Sequence, residues 1–193
     1  DSTAYITKEY AERENVAIVP LNYVFGDEVG KEPFPGQFNE FYEKLKNTKL
    51  FPSTSQPSAG DFYEAFKKAF EEGYESIIAI LLSSKISGTY NSAVLAKNML
   101  DNKRIVIIDS LNAAANLKFL VEEAVNMSKN GHTIEEIENH LENMKKNMHV
   151  YFTVETLEYL SRGGRLSAVQ ATVGNILNIK PIIELRDGEL KLL

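Results

Sequence analysis

Two short stretches of this chain contain only apolar residues, IIAILL at 77–82 and IVII at 105–108, and each gives way at once to small polar ones, Ser83-Ser84 and Asp109-Ser110. Uninterrupted apolar runs of this length suit strands buried on both faces of a parallel sheet, although periodicity alone does not separate them from buried helical pieces. Each is followed by a helical pattern, carried after the first by Tyr90, Ala93, Val94 and Leu100 and after the second by residues 113–129. Two such units predict a doubly wound α/β fold, a mainly parallel sheet with helices on both faces and its polar edge on one side. Ligands of open α/β sheets sit outside the carboxyl ends of the strands, which makes SSKISGT at 83–89 the first candidate site. A helix N-terminus offers unpaired N–H groups and a positive dipole end to an anion, whereas Ser and Thr are also ordinary capping residues. Ser84, Ser87, Gly88 and Thr89 therefore either hold an anion or cap the helix that continues from Tyr90.

The rest of the chain fits around this frame. Asp1-Ser2-Thr3-Ala4 is a polar turn that would lie at the carboxyl end of any strand preceding it, and Thr7 caps a short helix with Tyr10 and Ala11 on its apolar face. Residues 16–20 and 21–25 are extended segments divided by Pro20, and 26–36, with three glycines, Pro33 and Pro35, is a loop. Phe38, Phe41, Tyr42 and Leu45 recur at helical spacing and predict a helix over 37–46 with its aromatics in the core. LFPSTSQPS at 50–58 is extended and polar, held so by Pro52 and Pro57. Ser58 with Asp61 caps a helix whose stripe, Phe62, Ala65, Phe66, Ala69 and Phe70, ends at Gly73.

Further on, Asn130-Gly131 closes the helix over 113–129, and Thr133 with Glu136 forms a capping box for the next, over 134–146. A strand over 149–154 and a short helix over 155–160 lead to Ser161-Arg162-Gly163-Gly164-Arg165. The double glycine either frees the backbone at a domain junction or ends the helix beside two surface cations. A helix over 168–177 and a hairpin of 181–185 with 189–193 about Asp187-Gly188 follow. The change from strand–helix alternation to a hairpin predicts a first α/β domain over 1–164 and the incomplete start of a second over 165–193.

The chemistry can be narrowed by elimination. A net charge of −6 over 193 residues, with no Lys/Arg cluster, speaks against nucleic acid and anionic membrane surfaces as partners. There is no cysteine for a disulfide, a thiolate metal site or a nucleophile. No run approaches the ~18 to 20 apolar residues of a membrane span, so no stable membrane insertion is expected and a cytoplasmic address is the default. Dinucleotide, P-loop, zincin and nucleophile-elbow signatures are missing. The carboxylates show no metal-site spacing, and no cofactor is expected. A serine nucleophile would need one of three histidines, His132, His140 or His149, within hydrogen-bond reach. Hydroxyls and arginines without a base bind carboxylate or phosphate rather than transform it, so binding is favoured over catalysis. The alternative is a hydrolase or transferase acting on a small anionic substrate, with Ser84 or Ser87 as nucleophile and His149 as base.

Six motifs, taken together and in order, carry a resemblance: DST at 1–3, TSQPS at 54–58, SSKISGTYNSA at 83–93, IIDS at 107–110, LEYLSRGGRLS at 157–167 and LNIKPII at 177–183. The chain resembles, along essentially its whole length, the DegV family of bacterial fatty-acid-binding proteins. The resemblance implies a two-domain α/β protein holding one long-chain fatty acid as its ligand, the tail between the domains and the carboxylate near the polar strand ends. In some members a separate fatty acid kinase catalytic subunit phosphorylates the bound acid to an acyl phosphate with ATP, so the chain itself would be a lipid-binding, non-catalytic subunit. The family's carboxylate-holding hydroxyls fall on Thr54, with Ser55 adjacent, and on Ser87, helped by the Gly88 amide. Its arginine after the double glycine falls on Arg165, and Ser84 and Thr89 form a second tier. Family members normally begin with a strand before DST and continue past Leu193.

Overall fold

The structure, a computed structural model, describes residues 1–101, 104–165 and 180–193. A 3-10 turn at Ser2–Ala4 leads into α1 (Lys8–Glu14), β1 (Asn22–Phe25), β2 (Glu28–Lys31), α2 (Asn39–Asn47), β3 (Ser53–Ser55) and α3 (Ala59–Glu71). The central unit follows as β4 (Ile77–Leu81), α4 (Thr89–Leu100), β5 (Ile105–Asp109), α5 (Ala114–Lys129) and α6 (Ile134–Met144). The described chain closes with β6 (Val150–Phe152), α7 (Glu158–Arg162), β7 (Ile183–Arg186) and β8 (Glu189–Leu192). The helix expected over 168–177 lies outside the described residues.

β4 and β5 pair in parallel, with Ile77 opposite Ile105 and Leu81 opposite Asp109. Successive side chains of a strand point to opposite faces, so each apolar run supplies two cores at once. On one face Ile80, Leu82 and Ile108 meet Leu117 and Leu120 of α5 and Ile137 and Leu141 of α6. On the other, Leu81 and Ile105 meet Phe62 and Phe66 of α3 and Ala93 and Ala96 of α4. The two alanines, both without exposed surface, let α4 lie close to the sheet and leave room for the α3 phenylalanines. Helices thus cover both faces, and the architecture is α/β as the sequence predicts.

Two further sheets are antiparallel. One has the order β2-β1-β3, with Phe25 opposite Glu28 across Gly26-Asp27 and Tyr23 opposite Thr54. The loop expected over 26–36 therefore contains a strand, because Gly26, at φ 60°, supplies the tight reversal that returns the chain along β1. The aromatics of α2 are also not the core residues their spacing suggests, since no residue of α2 is fully buried. They lie instead against an aromatic wall on β1, Phe41 packing 5.3 Å from Tyr23 and 5.4 Å from Phe25, and of these only Phe25 is buried.

The other sheet has the order β6-β7-β8, taking one strand from before Arg165 and two from after it. Asp187 and Gly188, at φ 54° and 82°, make the two-residue turn of its hairpin. Its core of Leu157, Ile183, Leu185 and Leu190 packs on Ile86 and Ala113 from the loops after β4 and β5. The buried Ser83 hydroxyl donates to the Gly188 carbonyl at 2.7 Å and pins the hairpin to those loops. No helix among the described residues is long and apolar enough to cross a membrane.

Candidate functional site

The polar strand ends form a tied frame. Asp1 accepts the Leu82 amide at 2.7 Å through one carboxylate oxygen and the Thr3 amide and hydroxyl through the other. Asp109 accepts the amides of Ser84 and Leu111, both at 3.1 Å, while Lys145 donates to its carbonyl at 2.8 Å. The buried Ser110 hydroxyl bonds the carbonyl and amide of Asn112, and the Ser83 amide donates to that same carbonyl. Buried polar groups stay affordable only when paired, and here backbone and short side chains satisfy one another.

Against this frame three separate stretches meet. Ser87 accepts the Thr89 amide at 3.3 Å and shares a 2.8 Å hydrogen bond with the Thr89 hydroxyl. The N-cap of α4 is Gly88, which has no side chain, and the Ser87 hydroxyl one residue earlier takes the amide of the first helical residue instead. From just past the end of β3, the Gln56 carboxamide lies on Gly88, where an added Cβ would fall 2.5 Å from Nε2. From the end of α7, Arg165 donates through Nε to the Ile86 carbonyl at 3.3 Å and through Nη1 to Gly163. Gly164, at φ 76°, supplies the left-handed turn that lets the chain leave the helix there. Beside them Phe51 stacks on Tyr159 with ring centroids 4.9 Å apart, and the Arg162 guanidinium lies 4.0 Å from the Phe51 ring centre.

The predicted residues are placed as follows. Thr54 and Ser55 lie on the exposed strand β3, next to Gln56. The Ser55 hydroxyl accepts from Asn22 Nδ2 at 3.3 Å, and Thr54 makes no side-chain hydrogen bond among the described residues. Ser87, Gly88 and Arg165 are drawn to one place by the contacts through Gln56 and Ile86. Thr89 is fully buried and reaches that place only through Ser87. Ser84 is tied to Asp109 through its amide. Among the described residues Arg165 has no carboxylate partner and donates only to the Ile86 and Gly163 carbonyls, which leaves its charge available to an anion.

Two residues of this cluster have no motif logic of their own. Asn22 holds Ser55 and the Gln56 carbonyl, both at 3.3 Å, and Gln56 covers Gly88. Gln56 sits inside TSQPS, two residues after Thr54, and that place in the motif was the available signal. A groove of about 920 Å³ lies elsewhere, along β4, lined among others by Ile78, Ile80, Phe34 and Val121. None of Thr54, Ser87 or Arg165 lines it, so volume alone does not locate the anion site.

The histidines do not meet the serines. His132 faces Glu136 at 3.4 Å, His140 faces Glu123 at 2.9 Å and His149 faces Glu184 at 3.7 Å. No group of three His, Cys, Asp or Glu residues among those described could hold a metal ion.

The sequence model of a family described as "uncharacterised protein, DegV family" matches residues 1–193. The chain belongs to the DegV family. A DegV domain-containing protein of Halalkalibacterium halodurans is 42% identical over 190 residues, covering 98% of this chain and 67% of its own length. Among solved structures, a DegV family protein of Thermus thermophilus described for its fatty acid binding superposes with a TM-score of 0.89 at 30% identity. A protein of Eubacterium ventriosum described as binding stearic acid superposes at 0.88, also at 30% identity. Both comparisons cover 100% of this chain and 68% of the DegV structure concerned. The chain thus spans about two thirds of the length of these relatives.

Proposed function

We propose that this protein is a carrier of one long-chain fatty acid. Its carboxylate is received by the hydroxyls of Thr54 and Ser87 and the Gly88 amide, with Ser55 adjacent and Arg165 supplying the positive charge. The tail runs between the two domains. The observation that carries this reading is the meeting of the TSQPS, SGT and RGGR stretches through the Gln56–Gly88 and Arg165–Ile86 contacts. The fatty acid binding for which the Thermus thermophilus and Eubacterium ventriosum relatives are described supports it. Hydroxyl and amide donors near a guanidinium suit a carboxylate, and each imidazole is turned toward a glutamate rather than toward a serine among the described residues. On this reading the protein is a cytoplasmic, non-catalytic subunit that offers its bound acid to an ATP-using fatty acid kinase for conversion to an acyl phosphate.

The test is mass spectrometry of solvent extracts from protein purified without detergent. One fatty acid per chain is expected in the unaltered protein. Each hydrogen bond to a charged group contributes roughly 1.5 to 3 kcal/mol, so T54A/S87A should lose nearly all of it. Equal retention by the double variant would overturn the assignment of these residues, and a protein that stays empty when offered fatty acids would overturn the carrier reading itself.

A further inference from the structure

Gly88 is a glycine whose backbone angles do not require one. Its φ of −77° and ψ of 4° are open to any residue, and it stands at an N-cap, where glycine is accepted but Ser, Thr, Asn or Asp would add a hydrogen bond that their side chains accept. What lies against it is Gln56, just past the end of the strand that carries Thr54. A Cβ at position 88 would fall 2.5 Å from Nε2 of Gln56, 2.8 Å from its Cδ and 3.0 Å from its Oε1. The carboxamide of this exposed glutamine therefore lies on the Gly88 backbone, and a side chain at 88 would have to push it aside. Its own backbone is anchored, since the Gln56 carbonyl accepts from Asn22 Nδ2 at 3.3 Å and the next residue, Pro57, is buried. The carboxamide itself has no hydrogen-bond partner among the described residues, which leaves both of its N–H donors beside the first turn of α4.

We propose that Gln56 is the specificity-determining residue of this site: its Nε2 donates to the fatty acid carboxylate beside Ser87 and the Gly88 amide, where the absence of a Cβ at 88 leaves the carboxamide room to lie. This rests on the carrier reading. Gln56 then favours a charged headgroup over a neutral one, because hydrogen bonds to an ionised acceptor are roughly twice as strong as neutral ones.

Stearic acid and its methyl ester separate this role from mere packing. Both probes are titrated into the unaltered full-length protein and into Q56E, Q56M and G88A, with circular dichroism as the check on folding. Q56E keeps the shape but sets a carboxylate against the acid, so stearic acid should bind at least about tenfold more weakly, while methyl stearate changes by less than about threefold. Q56M, which keeps the length without the donors, should weaken the acid several-fold and spare the ester. G88A, which pushes the amide aside, should resemble Q56M. Parallel losses for both probes would reduce Gln56 to a packing residue and overturn the proposal, as would unchanged stearic acid binding in Q56E. Unaltered protein that binds neither probe would overturn the carrier reading and this proposal with it, an outcome distinct from the other two.

Discussion

The β4–β5 unit and the β2-β1-β3 sheet differ in nearly everything that governs stability. In the first, Ile105, Ile108, Leu117, Leu120 and Leu141 are each 1% exposed or less, and both strand faces are covered by helices. In the second, all three residues of β3 are exposed and α2 buries none of its own. The hydroxyls proposed to hold the ligand lie where these two regions meet. A buried hydroxyl without a partner costs about 1 to 3 kcal/mol, so a free Thr54 would weaken the first region and is tolerated in the second. The difference teaches a division of labour, in which a packed frame holds the helix N-terminus still while an open strand brings polar groups to it.

Substitutions should break along this line. The largest effect is expected for L120A in the frame, a loss of about 2 to 5 kcal/mol by urea unfolding. A smaller cost would mean that the frame is less tightly packed than its burial indicates. G188A comes next, since φ is 82° there and a Cβ would lie 2.6 Å from the Ser83 Oγ that ties the hairpin to the frame. About 1 to 3 kcal/mol should be lost, together with the Ser83 hydrogen bond. A cost under about half a kcal/mol would show the hairpin to be only loosely held.

Asp61 joins the open sheet to α3. The Lys31 ammonium first, and the Ser58 hydroxyl after it, lower its carboxyl from 3.8 to about 2. A carboxyl lowered on folding contributes stability that is complete above its unfolded value and is lost as the pH falls through its folded value. Acid titration should therefore show stability declining from about pH 4 toward 2, and D61N should flatten that decline while costing about 1 kcal/mol at neutral pH through the capping box. An unchanged acid profile in D61N would place the titration elsewhere. At the small end, S53A on the exposed strand should stay within about 0.5 kcal/mol of the unaltered protein.

Much of the frame is legible without coordinates. The apolar runs at 77–82 and 105–108 become β4, with Leu82 just past its end, and the body of β5, and the Ser58 and Thr133 capping boxes both form. The hairpin forms about Asp187-Gly188. Such features depend on neighbours a few residues apart, which the chain carries with it wherever it goes. The β1–β2 turn was legible too, for Gly-Asp between extended segments is a hairpin signal, but three glycines and two prolines in the same stretch read more readily as a loop. The α2 aromatics mislead for a different reason. Their spacing establishes that they share a helix face, not how deeply that face is covered.

The site divides in the same way. TSQPS, SGT and RGGR mark residue types able to hold an anion, and the order of the motifs points to the family. That Gln56 rests on Gly88 and that Arg165 reaches Ile86 are tertiary facts, each joining residues far apart in the chain. By itself the sequence determined the periods, caps and turns, because these follow from local backbone sterics and the spacing of apolar side chains. Only the tertiary structure decided which polar groups face one another, because that depends on how packed faces align the ends of strands and helices in space.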